Sequence, residues 1–188
     1  QLLNAPASPS EWEAYGQQTV DLFRSLTGYD RIMLYRFLDD GSGEVIAESS
    51  SGMYGSYLGL RFPASDIPQI ARNLYLKNPH RQIADVAAAP VPIVALEGAD
   101  TPDLTYSDLR AVSPVHIQYL KNMEVGASLS FSIAGGGALW GLVACHHRSP
   151  RYLDYRIRSR CAELANAFYM GMMAYSSNMR LSYITSVD

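Results

Sequence analysis

The stretch SLSFSIAGGGALWGLVACHH, at positions 128–147, decides the fold because it alternates and then turns back on itself. Leu129, Phe131 and Ile133 fall on one side of an extended chain, and serines alternate with them on the other side. Three glycines at 135–137 interrupt the pattern, which predicts a turn followed by a returning strand. The stretch therefore predicts an antiparallel hairpin with one apolar face and one face of small hydroxyls.

A second hairpin is predicted near the start of the chain, where residues 30–38 are rich in strand formers and residues 44–48 return after a turn. Four helices are predicted around the hairpins: over 11–26 with a capping box of Ser10 and Glu13 and a stop at Gly28, over 67–77, from Pro114, and from about Tyr155 to beyond Tyr175. This order of elements predicts an α+β domain in which an antiparallel β-sheet is flanked by helices on both faces. Residues 1–9 are expected to form a lead-in segment to that domain.

The composition excludes several classes of function. The 188 residues fit one domain, and 48% hydrophobic residues suffice for a buried core. A net charge of -3 without a basic run argues against binding to nucleic acid or to a membrane. Only Cys145 and Cys161 are present, too few for a disulfide framework or a four-cysteine zinc site, so a cytoplasmic location is expected. No phosphate-binding loop, metal-ligand cluster or nucleophile motif occurs, so neither a catalytic centre nor a metal site is expected.

The serine face of the hairpin is the first candidate for a binding site. Ser128 and Ser130 suit the floor of a pocket, where small hydroxyls leave room for a ligand; the alternative is an exposed, serine-rich strand. His146 is expected to share this side with Trp140 and Ala144. A histidine at such a place contacts a ligand or is an ordinary interior histidine with protein partners.

Other candidates lie before the hairpin. Arg81 and Arg110 flank a long connection at 87–107, and two arginines suit a ligand with two carboxylates; alternatively they pair with nearby Asp85 and Asp108. In the segment FPASDIP (62–68) two prolines hold an aspartate, which either caps the following helix or faces a pocket. The 13 tyrosines against 5 phenylalanines suit a partly polar pocket for a large flat ligand, or a tyrosine-rich surface.

Six segments taken together resemble the chromophore-binding GAF domain of phytochromes, in the order and spacing of that family. They are LYRF (34–37), GEVIAE (43–48), RFPASDIP (61–68), LRAVSPVHIQYLKNM (109–123), SLS (128–130) and LWGLVACHH (139–147). The resemblance covers roughly Ser10 to Tyr175, nearly the whole chain. It implies that the pocket holds a bilin, which is an open-chain tetrapyrrole.

The resemblance also implies a role for each candidate residue. Asp66 would face the pyrrole nitrogens with its backbone carbonyl and the last ring with its carboxylate, and His116 would stack beside those nitrogens. Tyr35, Phe62 and Tyr119 would surround the last ring, and His146 would donate a hydrogen bond to its carbonyl. The two propionates would be held by Tyr75, Arg81, Arg110, Ser113, Ser128 and Ser130, while Ile67 and Pro68 would line the pigment.

The chain looks like the bacteriophytochrome variant of this family, whose bilin is biliverdin. Val115 stands where plant and many cyanobacterial phytochromes carry the linking cysteine, and the bacteriophytochrome cysteine lies in an upstream segment, so the attachment stays open. The expected organisation is a GAF domain over 10–188 whose last helix extends toward a downstream domain. The 87–107 loop matches the lasso of phytochromes.

The resemblance implies a red/far-red photoreceptor module that is not itself an enzyme. It would lie between an upstream PAS-type domain and a downstream domain of a two-component sensor histidine kinase, with a homodimer as a further expectation. Light would isomerise the bilin and change the hydrogen bonds of its last ring. The alternative function is a pigment-free GAF module used for dimerisation or for sensing another small ligand, such as haem bound by His116 or His146.

Overall fold

The computed structural model describes residues 4–52, 55–108 and 110–187, with side chains to residue 184. Its helices are α1 (Pro9–Thr27), α2 (Gln69–Lys77), α3 (Pro114–Asn122) and α4 (Tyr155–Val187). Its strands are β1 (Arg31–Phe37), β2 (Gly43–Ser50), β3 (Arg61–Phe62), β4 (His80–Ile83), β5 (Ala127–Gly135) and β6 (Ala138–His147). They form one sheet in the order β3-β2-β1-β6-β5-β4, in which all neighbours are antiparallel. The predicted α+β class is confirmed.

Helices cover both faces of the sheet, as the sequence predicts. On the first face, α1 and α4 pack over a core that includes Phe23, Phe131 and Phe168, all fully buried. Burying such aromatic side chains supplies much of the stabilisation of a domain of this size. On the second face, α2 packs against β5 and β6, and a smaller cluster forms around Tyr35 and Leu142. We call this second side of the sheet the polar face, because the serines of β5 lie on it.

The β5–β6 hairpin forms over the predicted residues. Leu129, Phe131 and Ile133 are fully buried in the core of the first face. The turn is made by Gly136 and Gly137, whose φ angles of 59° and 80° lie in the left-handed region that favours glycine. The local alternation and the glycines therefore suffice to define this hairpin.

The prediction that His146 shares a face with Trp140 is wrong, because β6 contains a bulge. Ile133 pairs with Gly141 whereas Ala134 pairs with Leu139, which leaves Trp140 as an extra residue in the ladder. The bulge turns the Trp140 ring to the first face, where it lies 6.3 Å from the Trp12 ring in an edge-on arrangement. Ala144 and His146 follow the bulge and stay on the polar face.

The start of α1 differs from the prediction. The helix begins at Pro9, and the Ser8 hydroxyl accepts a hydrogen bond from the Glu11 backbone N–H at 3.3 Å. The expected capping box of Ser10 and Glu13 is therefore wrong by two residues. Proline suits the first helical position because a backbone N–H at that position would have no partner within the helix, so nothing is lost when proline lacks it. The predicted stop at Gly28 is confirmed by its left-handed conformation, with φ 63°.

Two short strands were not predicted from the sequence. The edge strands β3 and β4 contain only two and four residues, too few for alternation to be recognised. Their pairing partners define them: β3 adds to β2, and β4 adds to β5 with Arg81 opposite Ser130.

In the described part of the chain, no helix has the length and apolar character needed to cross a membrane.

Candidate functional site: the polar face of the sheet

Aromatic and acidic side chains meet at one end of the polar face. The Tyr35 ring lies 6.1 Å from the Phe62 ring, and Phe62 in turn lies 5.9 Å from Tyr57. The Tyr119 hydroxyl donates to Asp66 Oδ2 at 3.5 Å. Burial and the Asp66 carboxylate raise the pKa of Tyr119 to about 12, so its hydroxyl stays a proton donor at neutral pH. The structure thus brings together Tyr35, Phe62, Asp66 and Tyr119, four of the five residues that the resemblance places at the last bilin ring.

Asp66 does not cap the helix that follows it. The N-cap of α2 is Pro68, and no side chain bonds to the free backbone N–H groups there. The Asp66 N–H bonds to the Pro63 carbonyl at 3.1 Å, which fixes the turn between the two prolines. The carboxylate is then directed toward Tyr119, so the pocket-facing alternative fits the structure.

His146 also lies on the polar face, and a neighbouring arginine determines which of its ring nitrogens carries the proton. It is only 6% exposed, and its Nδ1 lies 3.0 Å from Arg31 Nη2. Because a guanidinium can only donate, Nδ1 accepts and Nε2 carries the proton. Burial, then the charges of Arg31 and His116, lower the pKa of His146 to about 3, so the ring is neutral at pH 7. The residue therefore presents an Nε2–H donor, which suits a carbonyl partner.

Sequence reasoning missed Arg31 and Tyr57, which support His146. The Arg31 guanidinium is fully buried and lies 4.0 Å above the centre of the Tyr57 ring, a cation–π contact. A signal for Arg31 exists in the sequence. It stands two and four positions before Met33 and Tyr35, on the same face of a strand that is otherwise largely apolar.

His116 lies on α3 above the polar face. Its ring stacks on that of Tyr119 at 6.2 Å with an angle of 12° between the planes. Burial, and after it the positive charge of Arg81, lower the pKa of His116. The residue is close enough to His146 for the two rings to interact electrostatically. The structure therefore connects the histidine of α3 to both the Tyr119 end of the site and the arginines.

Arg81 and Arg110 lie together, and neither pairs with a carboxylate among the residues that the structure describes. Arg81 Nη1 donates to the Asp108 carbonyl at 2.9 Å and Nη2 to the Arg110 carbonyl, while Arg110 Nη1 donates to the Thr105 carbonyl at 2.8 Å. The expected alternative partners are engaged elsewhere: Asp85 accepts from a backbone N–H, and the Asp108 carboxylate bonds to Arg158. The expected ion pairs with Asp85 and Asp108 are therefore not formed among the described residues, although the Asp108 carboxylate lies close enough to Arg81 to act on its pKa.

A pair of hydroxyl groups lies near the two arginines. The Ser130 hydroxyl lies 3.3 Å from that of Tyr75, and Arg81 is the cross-strand partner of Ser130. Burial raises the pKa of Tyr75, and both arginines lie near enough to oppose that rise. Ser128 stands opposite His146 in the sheet and is half-buried, and Ser130 is buried. The serine face is therefore not an exposed surface.

Two predicted residues, Ser113 and Pro68, are not joined to this group by a described contact. Ser113 is exposed at the start of α3 and makes no side-chain cap there. Pro68 is exposed at the start of α2, and Ile67 packs against the cluster of Tyr35 and Leu142. In the described ranges, no group of three or more histidine, cysteine, aspartate or glutamate side chains is arranged to hold a metal ion.

The family model for the GAF domain matches residues 11–167, and the chain therefore belongs to the GAF domain family. The match covers the sheet, most of α1, all of α2 and α3, and the first part of α4. The fold class predicted from the motifs is thus confirmed.

Among proteins with a GAF domain, the relatives most similar in sequence include phytochromes. A bacteriophytochrome of Pseudomonas aeruginosa is 55% identical over 141 residues, 73% of this chain and 19% of that protein. Cyanobacterial phytochrome B of Nostoc sp. is 51% identical over 154 residues, 80% of this chain and 20% of its length. The chain thus spans about a fifth of these relatives.

Solved structures with a similar fold also include phytochrome domains. The chromophore-binding domain of an unusual bacteriophytochrome from R. palustris matches with a TM-score of 0.84 at 36% identity, over 88% of this chain and 57% of that one. A mutant chromophore-binding domain of the Stigmatella aurantiaca bacteriophytochrome, in the Pr state, matches with a TM-score of 0.83 at 43% identity, over 86% of this chain and 54% of that one. These similarities confirm the predicted resemblance to bacteriophytochrome GAF domains.

Proposed function

We propose that this chain is the pigment-binding module of a red/far-red photoreceptor and that it binds the linear tetrapyrrole biliverdin on the polar face. The observation that carries the proposal is the pair of guanidiniums, Arg81 and Arg110, which lie together without a carboxylate partner among the described residues. Burial and the charge of Arg110 lower the pKa of Arg81, and the Asp108 carboxylate, which bonds to Arg158, only partly opposes that shift. A ligand with two carboxylates would relieve that repulsion.

The residues fit biliverdin at its propionate end. Each guanidinium retains N–H donors beyond those used on backbone carbonyls, and guanidiniums match carboxylates in a bidentate way. The hydroxyls of Tyr75 and Ser130 lie 3.3 Å apart, Ser130 is the cross-strand partner of Arg81 and Ser128 follows in the same strand, so these groups can donate further hydrogen bonds. Ser113 at the start of α3 is included in this proposal from the family motif alone.

The residues also fit the last ring at the other end. Neutral His146 offers an Nε2–H donor for a carbonyl, and Tyr119 and Asp66 form a donor–acceptor pair beside the Tyr35 and Phe62 rings. Biliverdin would supply red-light absorption and isomerisation of the double bond before its last ring. The chain would supply alternative hydrogen-bond partners, so that an exchange among Asp66, Tyr119 and His146 carries the signal.

The bilin assignment agrees with the printed names of the relatives, which are phytochromes and chromophore-binding domains. Since the chain spans about a fifth of the curated relatives, the rest of the assembly is also proposed: an upstream PAS-type domain, a downstream domain reached through α4, a histidine-kinase output and a homodimer. Val115 is 79% exposed and offers no thiol, so attachment would be noncovalent in this chain or use an upstream cysteine.

The test is an absorption spectrum of the chain with biliverdin, before and after red light. We expect a red-absorbing species that changes on illumination. Arg110→Ala should weaken biliverdin binding by about tenfold or more, because a charge-assisted pair is lost. His116→Ala should reduce the red band, because its ring stacks on Tyr119 and lies near enough to Arg81 to feel its charge.

The matched control is Arg148→Ala, which removes an exposed arginine paired with Glu124. It should leave the spectrum unchanged. An unchanged bilin spectrum in both site variants would contradict the assignment. A chain that binds no biliverdin would favour the pigment-free module, and a Soret band in the purified protein would select the haem sensor.

A further inference from the structure

A buried arginine of α4 lies outside the proposed pocket, at the edge of the sheet. Arg158 is 7% exposed, and its Nη1 donates to Asp108 Oδ2 at 2.7 Å. The same Nη1 lies 3.4 Å from His80 Nδ1, in the edge strand β4. Neither the GAF motifs nor the contacts of the polar face assign a role to this residue.

Asp108 is held from two sides. Its carboxylate bonds to Arg158, while its backbone carbonyl accepts from Arg81 Nη1 at 2.9 Å. Arg81 Nη2 donates to the Arg110 carbonyl, two residues further on. A single residue at the end of the long loop therefore connects α4 to the guanidinium of Arg81.

We propose that Arg158 is a positioning residue: through Asp108 it fixes the Arg81 guanidinium in the orientation that receives a ligand carboxylate. The inference rests on the proposed function, because it concerns the carboxylate-bearing end of that ligand. A free arginine side chain loses freedom of rotation about several bonds when it binds a ligand, and restraining it beforehand lowers that entropic cost. The Asp108 carboxylate is half exposed, and the buried Arg158 makes the short contact to its Oδ2 at 2.7 Å, while His80 Nδ1 lies 4.0 Å from its Oδ1.

The ordinary alternative is that Arg158 serves packing and stability alone. The two roles differ in which ligands they affect. A positioning role acts on the ligand carboxylates through Arg81, whereas a packing role affects every ligand of the pocket equally. Biliverdin and its dimethyl ester separate the roles, because the ester has the same tetrapyrrole without the two carboxylate charges.

The experiment titrates both pigments into the wild-type chain, Arg158→Met and the control Arg148→Met, with thermal unfolding as the check of folding. Methionine keeps much of the buried aliphatic volume of Arg158. We expect Arg158→Met to raise the Kd for biliverdin about fivefold or more and to leave that for the ester within about twofold. Asp108→Asn should show the same selectivity, and Arg148→Met should change neither Kd.

A second arm does not depend on the ester. In an Arg81→Met background, Arg158→Met should have little further effect on biliverdin affinity, because the side chain that it positions is gone. Equal weakening for both pigments, additive losses in the double variant, or no effect of Arg158→Met would each overturn the inference while leaving biliverdin binding intact. A wild-type chain that binds neither pigment would instead overturn the proposed function, and this inference with it.

Discussion

Single residues on the polar face owe their chemistry to buried neighbours. His146 is kept neutral by burial and by Arg31, and the same contact leaves its proton on Nε2. Tyr119 keeps its proton because burial and Asp66 oppose ionisation. The protonation states needed by a hydrogen-bonding site therefore exist in the protein before any ligand is bound.

His146 should make the stability of the chain depend on pH. Its pKa is about 3 in the folded state against 6.5 for an ordinary histidine, so between these values the unfolded chain binds a proton that the folded chain does not. Stability is therefore retained above pH 6.5 and lost as the pH falls toward 3. From this residue we expect a loss of about 2 kcal/mol between pH 7 and pH 5. Urea unfolding at the two pH values measures it.

The comparison for this prediction is His146→Gln, which keeps a polar side chain without titrating. The variant should lower the pH dependence by about the same 2 kcal/mol, while the slope due to His80 and His116 remains, since burial lowers their pKa values as well. Identical pH dependence in the wild type and His146→Gln would show that His146 is not buried in a neutral form.

At the scale of elements, the β1–β2 hairpin positions Tyr35. Its ring lies on the backbone of Gly43, where an added Cβ would come within 1.9 Å of Tyr35 Cζ. The ring has little freedom to move, because Phe37 contacts it edge-on at 5.4 Å and Phe62 lies on another side. A glycine at this place in β2 is therefore required by the tyrosine of the neighbouring strand.

Gly43→Ala should destabilise the chain by about 1–3 kcal/mol, since a buried ring must shift to admit the methyl group. Gly55→Ala is the control, because nothing lies within 4 Å of its added Cβ. Chemical denaturation of the two variants measures the difference. Equal stability of the two variants would mean that Tyr35 does not occupy the space above Gly43.

At the scale of the whole molecule, α4 is longer than the body that it packs against. The last residues of α4 with large side chains packed on the core are Met172 and Tyr175. Met172 is buried, and the Tyr175 ring stacks on that of Trp12 at 5.3 Å with nearly parallel planes. The side chains at 177–184 are exposed. The helix thus divides into a part that completes the core and a part that projects beyond it.

Removing residues 177–188 should lower the free energy of unfolding by less than about 1 kcal/mol, because no described buried side chain is lost. Ending the chain after Met170 should cost about 3 kcal/mol or more, because Met172 and the Tyr175–Trp12 contact are removed. Thermal and urea unfolding of both truncated chains provide the measurement. A large loss from the shorter truncation would show that the end of α4 packs against the domain.

Much of the candidate site was predictable from motifs, since Tyr35, Asp66, His116 and Tyr119 lie in segments that resemble a known family. Tyr57 and Arg158 were not, because each acts through a partner far along the chain, and for Arg31 the sequence signals an unusual charged residue in an apolar strand but not its distant partner His146. Arg158 and Asp108, for example, are separated by 50 positions. Sequence patterns report on residues a few positions apart, so they do not reveal contacts between residues this far apart in the chain.

The sequence by itself determined the β5–β6 hairpin and the stop of α1 at Gly28, because alternation and glycine conformations act within a few residues. Only the tertiary structure decided that Trp140 leaves the face of His146, that β4 exists, and which nitrogen of His146 carries the proton. These features depend on register and contact between distant segments, and one extra residue in a ladder is enough to reverse a side chain's direction.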